Sequence, residues 1–165
     1  MIPAHQELAV RIRDAVPDIE STMQRALLAW PQAQCVSEGF NVYVDSVALN
    51  LHSFYSGIER LFELIARHVD ADVPTSPTWH RQLLQQMAAE RPEVRPAVIS
   101  QDNAQALDEF RRFRHLVRNA YAMELTPAKM TGLMNTLTHV WSRLHAEFLA
   151  FADFLEDLAQ IDQFE

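Results

Sequence analysis

Apolar residues spaced three and four apart run through nearly every long segment of this chain, while strict alternation is almost absent. Met130, Leu133, Met134, Leu137, Trp141, Leu144, Phe148, Phe151, Leu155 and Leu158 form one such stripe. Val47, Leu51, Phe54, Tyr55, Ile58, Phe62 and Ile65 form another, and Leu8, Ile12, Val16, Ile19, Met23, Leu27 and Trp30 a third. A period near 3.6 residues places each set along one side of a helix. With only 3 glycines and few β-branched runs, little remains from which to build strands. The spacing predicts an all-α protein.

Punctuation divides these stripes into elements. A first helix is expected over about 3–30, kinked or split at Pro17. Residues 31–43 hold Pro31, Ser37, Gly39 and Asn41 and read as a connection. A second helix spans about 45–68. Ser76 as N-cap with Pro77 at the first helical position starts a shorter third helix running to about Glu90. Pro92 and Pro96 then end it and leave an extended linker. A fourth helix runs from Ser100 or Asp102 to about Leu125, and Thr126-Pro127 restarts the chain as a fifth to about Ile161. Four long helices with short breaks predict an antiparallel up-and-down bundle, the third helix being an accessory on one connection. A domain-swapped or wholly dimeric bundle is the alternative architecture. The length of 165 residues fits one domain, 1–165, at the usual scale of about 100 to 200 residues per domain.

The single Cys35 cannot close an internal disulfide, and no charged-then-apolar leader stands at the start. A reducing, cytoplasmic setting is the expectation. No apolar run approaches the roughly 18 to 20 residues needed to span a bilayer, so no membrane role is expected.

Charge is unevenly placed. The net charge is -8, yet Arg111, Arg112, Arg114 and Arg118 crowd one stretch of the fourth helix. On a helical wheel Phe110, Phe113, Val117 and Ala120 share an apolar face, and Tyr121, Arg114, Arg118, Arg111, His115 and Asn119 fill the adjoining polar arc. One helix thus offers a core side and a cationic, hydrogen-bonding side. In an acidic protein that side suits an anion, a phosphate backbone or a partner's carboxylates. After Arg143 the chain carries Glu147, Asp153, Glu156, Asp157, Asp162 and Glu165 with no Lys or Arg, a negative pole opposed to the arginine helix.

The segment Phe110–Leu125, FRRFRHLVRNAYAMEL, resembles the signature helix of the HEPN superfamily and is closest to its HepT-like branch. HepT toxins carry Arg-x4-His-x-Tyr with a polar residue directly after the arginine. Here Arg114, His115 and Tyr121 match, and Asn119 occupies the histidine position. The stretch Asn50–Arg60, NLHSFYSGIER, also resembles this branch, so the likeness covers roughly 45–160. It implies a toxin-like component of a HepT/MntA type toxin–antitoxin pair: a homodimer with the motif helices facing each other and a composite cleft, cutting RNA through the ribose 2′-hydroxyl without a metal or other cofactor. It further implies a nucleotidyltransferase antitoxin of the MntA type that adds AMP to Tyr121.

The chemistry has a clear logic and a clear gap. Charge developing on phosphorus needs a fixed guanidinium, the role implied for Arg114, and the attacking hydroxyl needs a base that titrates near neutrality. Asn119 cannot be that base, since an amide only positions groups by hydrogen bonds. His115, one turn earlier and beside Arg111 and Arg118, is the candidate substitute; the alternative is a surface histidine on a chain that has lost catalysis. Arg111, Arg112 and Arg118 form an RNA-binding patch or else a solvated, salt-bridged face. Glu59 and His52 lie on the edge of the second stripe, where pairing with the arginines across the bundle would support the site structurally. Tyr121 is either an exposed AMP acceptor or a core residue. The competing functional class is a catalytically degraded binding module that only holds the nucleotidyltransferase, and a purely structural scaffold is a third.

Other chemistries fail on spacing. The remaining histidines, at 5, 52, 68, 80, 139 and 145, form no Glu-x-x-His pair for a di-iron bundle, and one cysteine excludes zinc knuckles. A glycine-rich phosphate loop and a Gly-x-Ser-x-Gly elbow are both missing. No metal ligands are assigned.

Overall fold

The structure, a computed structural model, describes residues 4–35, 41–119 and 125–164. It contains α1 (Ala4–Gln34), α2 (Val42–His68), α3 (Trp79–Ala88), α4 (Gln101–Asn119) and α5 (Thr131–Ile161), the last preceded by a 3-10 turn over Pro127–Lys129. α1 packs on α2 and α5, and α4 packs on α2 and α5, so the four long helices close a ring. Their side-chain ties fix the directions. Arg13 of α1 meets Glu156 of α5 and Glu20 accepts from the Trp141 indole, an antiparallel pairing. α2 and α5 sit on a diagonal and run the same way, with Phe54 against Trp141 at 5.8 Å and Phe62 against Phe148 at 6.0 Å between ring centroids. The up-and-down bundle is as expected, with aromatic rings filling its centre. No described helix is long and apolar enough to cross a membrane.

All seven residues of the predicted α2 stripe are buried, and so are those of the α5 stripe up to Leu155. The α1 stripe holds as far as Met23 and then moves to Ala26, Ala29 and Ala33. Small side chains there let α1 and α2 approach closely, while Leu27 and Trp30 are only partly covered.

The boundaries differ in four places, each for a local reason. α1 is not split at Pro17 but runs on through Pro17 and Pro31. Both prolines face solvent, where the carbonyl freed one turn back can bind water, and burial of Ile12, Val16 and Ile19 holds the helix together on its other side. α2 begins three residues early because the Asn41 side chain accepts the Tyr43 backbone N–H at 2.9 Å and caps it. At α3, Ser76 instead closes a turn: its hydroxyl accepts the Thr78 N–H at 3.2 Å and its carbonyl accepts that of Trp79 at 3.0 Å, so the helix starts only at Trp79. Ser100 does cap α4, its hydroxyl accepting the Asn103 N–H at 3.1 Å, and Glu147 of α5 accepts the Ser100 N–H at 2.6 Å. α4 is described to Asn119; the remainder of its expected span, including Ala120 and Tyr121, lies outside the described residues.

The fourth difference sits between α3 and α4. Residues 91–100 do not form a plain extended linker. Arg91 and Arg95 pair across a tight turn in which Glu93 adopts φ 66°, and Arg95 turns inward. Its guanidinium is fully buried, donating to Asp70 Oδ2 at 2.7 Å and to the carbonyls of Gln86, Ala89 and Pro96 at 3.0 to 3.1 Å. Asp70 follows α2, so this one side chain ties the end of α2 to the C-terminal end of α3 and to the turn beyond it.

Candidate functional site

α4 lies on α2 through Leu107, Phe110 and Phe113, all buried, with Phe110 stacked obliquely on Phe54 at 5.4 Å. That contact fixes the rotation of α4, and the arginine arc then faces the channel between α4 and α3. His80 of α3 and Arg111, Arg114, His115, Arg118 and Asn119 of α4 line a groove of about 320 Å³. This volume is at the lower end of the range for small-ligand sites, roughly 300 to 1,000 Å³.

The arginines are not equivalent. Arg111 Nε donates to Asp108 Oδ1 at 2.7 Å and Arg112 Nε to Oδ2 of the same carboxylate at 3.0 Å, with Glu109 a further 3.7 Å partner of Arg112. Arg112 points away from the groove and two-thirds of its side chain is exposed, the solvated face weighed as the alternative reading. Arg114 Nε donates to the Ser56 hydroxyl of α2 at 3.1 Å. That bond orients its guanidinium without neutralising it. Among the described residues no carboxylate pairs with Arg114 or Arg118, so these two supply the groove's uncompensated positive charge.

Asn119 is exposed, and its amide donates to the carbonyl of His115 one turn back at 2.8 Å, while lying 3.4 Å from both ring nitrogens of that histidine. His115 is likewise exposed. The two side chains thus cover each other at the outer lip of the groove. Tyr121, singled out as an AMP acceptor, lies outside the described residues.

Glu59 and His52 both come to the site from α2, in arrangements the sequence reading did not give. Glu59 is buried and takes His80 rather than an arginine as its partner, Oε2 lying 2.8 Å from Nδ1. A buried carboxylate needs a hydrogen-bonded partner, and α3 delivers one. Near Glu59, the Tyr55 hydroxyl is buried; burial first, and then the Glu59 carboxylate, push its pKa far up, so it remains a neutral phenol. His52 lies near Arg114 and Arg118, and burial, and next the charges of those two arginines, hold its pKa below the ordinary 6.5, against a smaller opposing pull from Glu59. It is therefore a neutral neighbour of the arginines and, among the described residues, forms no ion pair with a carboxylate.

The sign of that shift carries a prediction. With the folded-state pKa depressed, the unfolded chain takes up a proton first as pH falls, so the stability tied to neutral His52 is present above 6.5 and declines below it. His52→Gln should flatten this decline, measured as urea midpoints at about pH 7.5 and about pH 5.5. An unchanged difference between the two midpoints would show that His52 titrates normally.

His80 is the groove residue that sequence reasoning missed, having been weighed only as a metal ligand. The available signal was indirect: Glu59 lies four residues after Tyr55 and three before Phe62 on a buried stripe, a position where a carboxylate demands company. Among the described residues no three His, Cys, Asp or Glu side chains converge as metal ligands would.

A family model described as HepT-like protein matches residues 46–155, the span that includes most of α2, all of α3 and the described α4, and most of α5. No curated protein and no solved structure matches the chain. With the match covering well over half of the chain and the arginine groove inside it, the protein belongs to the HepT-like family, toxin-like HEPN components of toxin–antitoxin systems.

Proposed function

We propose that the protein is a metal-independent RNA endonuclease, the toxin component of a HepT/MntA type pair. The observation that carries this reading is the groove itself: Arg114, aimed by Ser56 and left without a carboxylate, stands between Arg111 and Arg118 opposite His80. A guanidinium fixed before substrate arrives is what a phosphorane-like transition state needs, because its charge is met without reorganisation. Arg111 and Arg118 add attraction for the flanking phosphates. The proton acceptor is one of the two histidines lining the groove, His80 or His115, with Asn119 limited to hydrogen bonding.

The active form is a homodimer in which the open lip formed by His115, Arg118 and Asn119 meets its twin, doubling the positive field along one RNA strand. A nucleotidyltransferase of the MntA type would silence it by transferring AMP to Tyr121, close in sequence to Arg118, where the adenylate's phosphate would occupy the guanidiniums meant for RNA. One observation favours a second reading, a degraded module that binds the nucleotidyltransferase without cutting RNA: the Asn119 amide is engaged by its own helix.

Incubating the purified protein and an Asn119→His variant with RNA in excess EDTA decides between them. Cleavage by both proteins is expected, leaving 2′,3′-cyclic phosphate ends. Cleavage by the histidine variant alone would establish the degraded module, and intact RNA with both would reject the nuclease.

A further inference from the structure

Position 119 leaves the groove without the family's histidine, so the chemistry requires another base, and the structure distinguishes the two histidines present. His115 is exposed at the lip, shares its surface with the Asn119 amide, and has no carboxylate partner among the described residues. His80 is held on two sides. Its Nδ1 is 2.8 Å from Oε2 of buried Glu59, and its ring stacks on the Trp79 indole with centroids 3.6 Å apart. A carboxylate oxygen only accepts, so in the neutral ring Nδ1 carries the proton and Nε2 keeps its lone pair. That nitrogen belongs to a ring lining the same groove as Arg114.

We propose that the Glu59–His80 pair supplies the general base of this site, with His80 as the catalytic residue and Glu59 as its positioning residue; the proposal rests on the nuclease reading above. His80 Nε2 removes the proton of the ribose 2′-hydroxyl. The 2′-oxygen uses the freed electron pair to bond to phosphorus. The bond from phosphorus to the 5′-oxygen breaks, its electron pair leaves on that oxygen, and water supplies the proton that completes the 5′-hydroxyl. The other product is a 2′,3′-cyclic phosphate, and the imidazolium returns its proton to solvent.

Glu59 explains how a base works among cations. The charged groups facing the ring are Glu59 from α2 and Arg111, Arg114 and Arg118 from α4. The guanidiniums of Arg114 and Arg118, which no carboxylate offsets among the described residues, repel an imidazolium as it forms, and a carboxylate at hydrogen-bond distance from the far nitrogen opposes that repulsion. The pair also fixes the tautomer. Without Glu59 the ring would be free to present a protonated nitrogen to the 2′-hydroxyl.

The test uses a short single-stranded RNA for rates and its 2′-O-methyl counterpart, which cannot be cleaved, for binding by fluorescence anisotropy. His80→Gln should lower kcat by about 100-fold or more while leaving affinity for the 2′-O-methyl strand within about threefold. Glu59→Gln should lower kcat less than His80→Gln and alter the pH profile of kcat, a change that a purely structural role for Glu59 would not produce. Thermal melts of both variants separate lost chemistry from lost fold, and His80→Asn gives a second route if the glutamine variant is unstable. Near-normal cleavage by folded His80→Gln beside an inactive Arg114→Ala would overturn the dyad and leave the nuclease standing. A wild-type chain that binds the strand but never cuts it would overturn both.

Discussion

Arg114→Ala is expected to reduce RNA cleavage by about 100- to 1,000-fold, the effect of deleting one preorganised donor to a developing oxyanion. The loss should fall on kcat more than on KM, because Arg111 and Arg118 remain to hold the strand in its ground state. Stability should barely change: the side chain is partly exposed and its hydrogen bond goes to a serine hydroxyl, worth about 1 kcal/mol. Ser56→Ala provides the matching control. It keeps the charge and frees its direction, so the decline should be smaller and of the same kinetic type. Steady-state kinetics on one RNA substrate checks all of this. A rise in KM with kcat unchanged would mean that Arg114 only binds.

Asp70→Ala is expected to be the most damaging single change to the fold outside the aromatic core. It strands the Arg95 guanidinium, whose side chain is fully buried, and removing one partner of a buried pair costs about 3 to 5 kcal/mol. Arg91 loses a 3.2 Å partner at the same time. For a chain of this size that corresponds to a fall in Tm of about 10 °C, readable by calorimetry or circular dichroism. The damage should also reach the chemistry. Asp70 and Arg95 bracket α3, so loosening them releases His80 from Glu59, and cleavage should drop before the bundle melts. Arg95→Met beside Asp70→Leu should recover much of the stability, because an apolar pair of similar volume has no buried charge to satisfy. A melting temperature unchanged by Asp70→Ala would show that water reaches Arg95.

The bundle was legible in the sequence because each long helix buries one stripe, and the stripes on α2 and α5 were read almost residue for residue. A period carries that information within one helix. The site was half legible for the same reason. Arg111, Arg114, His115, Arg118 and Asn119 share an arc of one helix, and that arc lines the groove. What lay hidden was everything brought from elsewhere in the chain. His80 faces the arginines only because α3 folds back over α2 and α4, and no spacing encodes that return. Glu59 was recognised as a supporting residue, but its partner was sought among the arginines because they were the charges in view. Ser56 stood within a stretch already noted without attracting attention, its importance depending on the α2–α4 crossing. The turn at residues 91–95 misled for a different reason: two prolines suggested an extended strap, whereas a single arginine seeking a carboxylate decides its shape.

The ring of four helices closes where α1 meets α5, the two elements most distant along the chain, through Arg13 with Glu156 and Trp141 with Glu20. Every side chain of the groove and its α2 supports falls between residues 52 and 119, in helices that are neighbours in sequence. The cleft thus depends on short loops, whereas closing the α1–α5 joint confines a segment of more than a hundred residues, at an entropic cost that rises with the logarithm of its length. In folding, the α1–α5 seam is therefore expected to form late and the cleft's own framework early, an order that φ-values for substitutions at Glu20 and Ser56 would check.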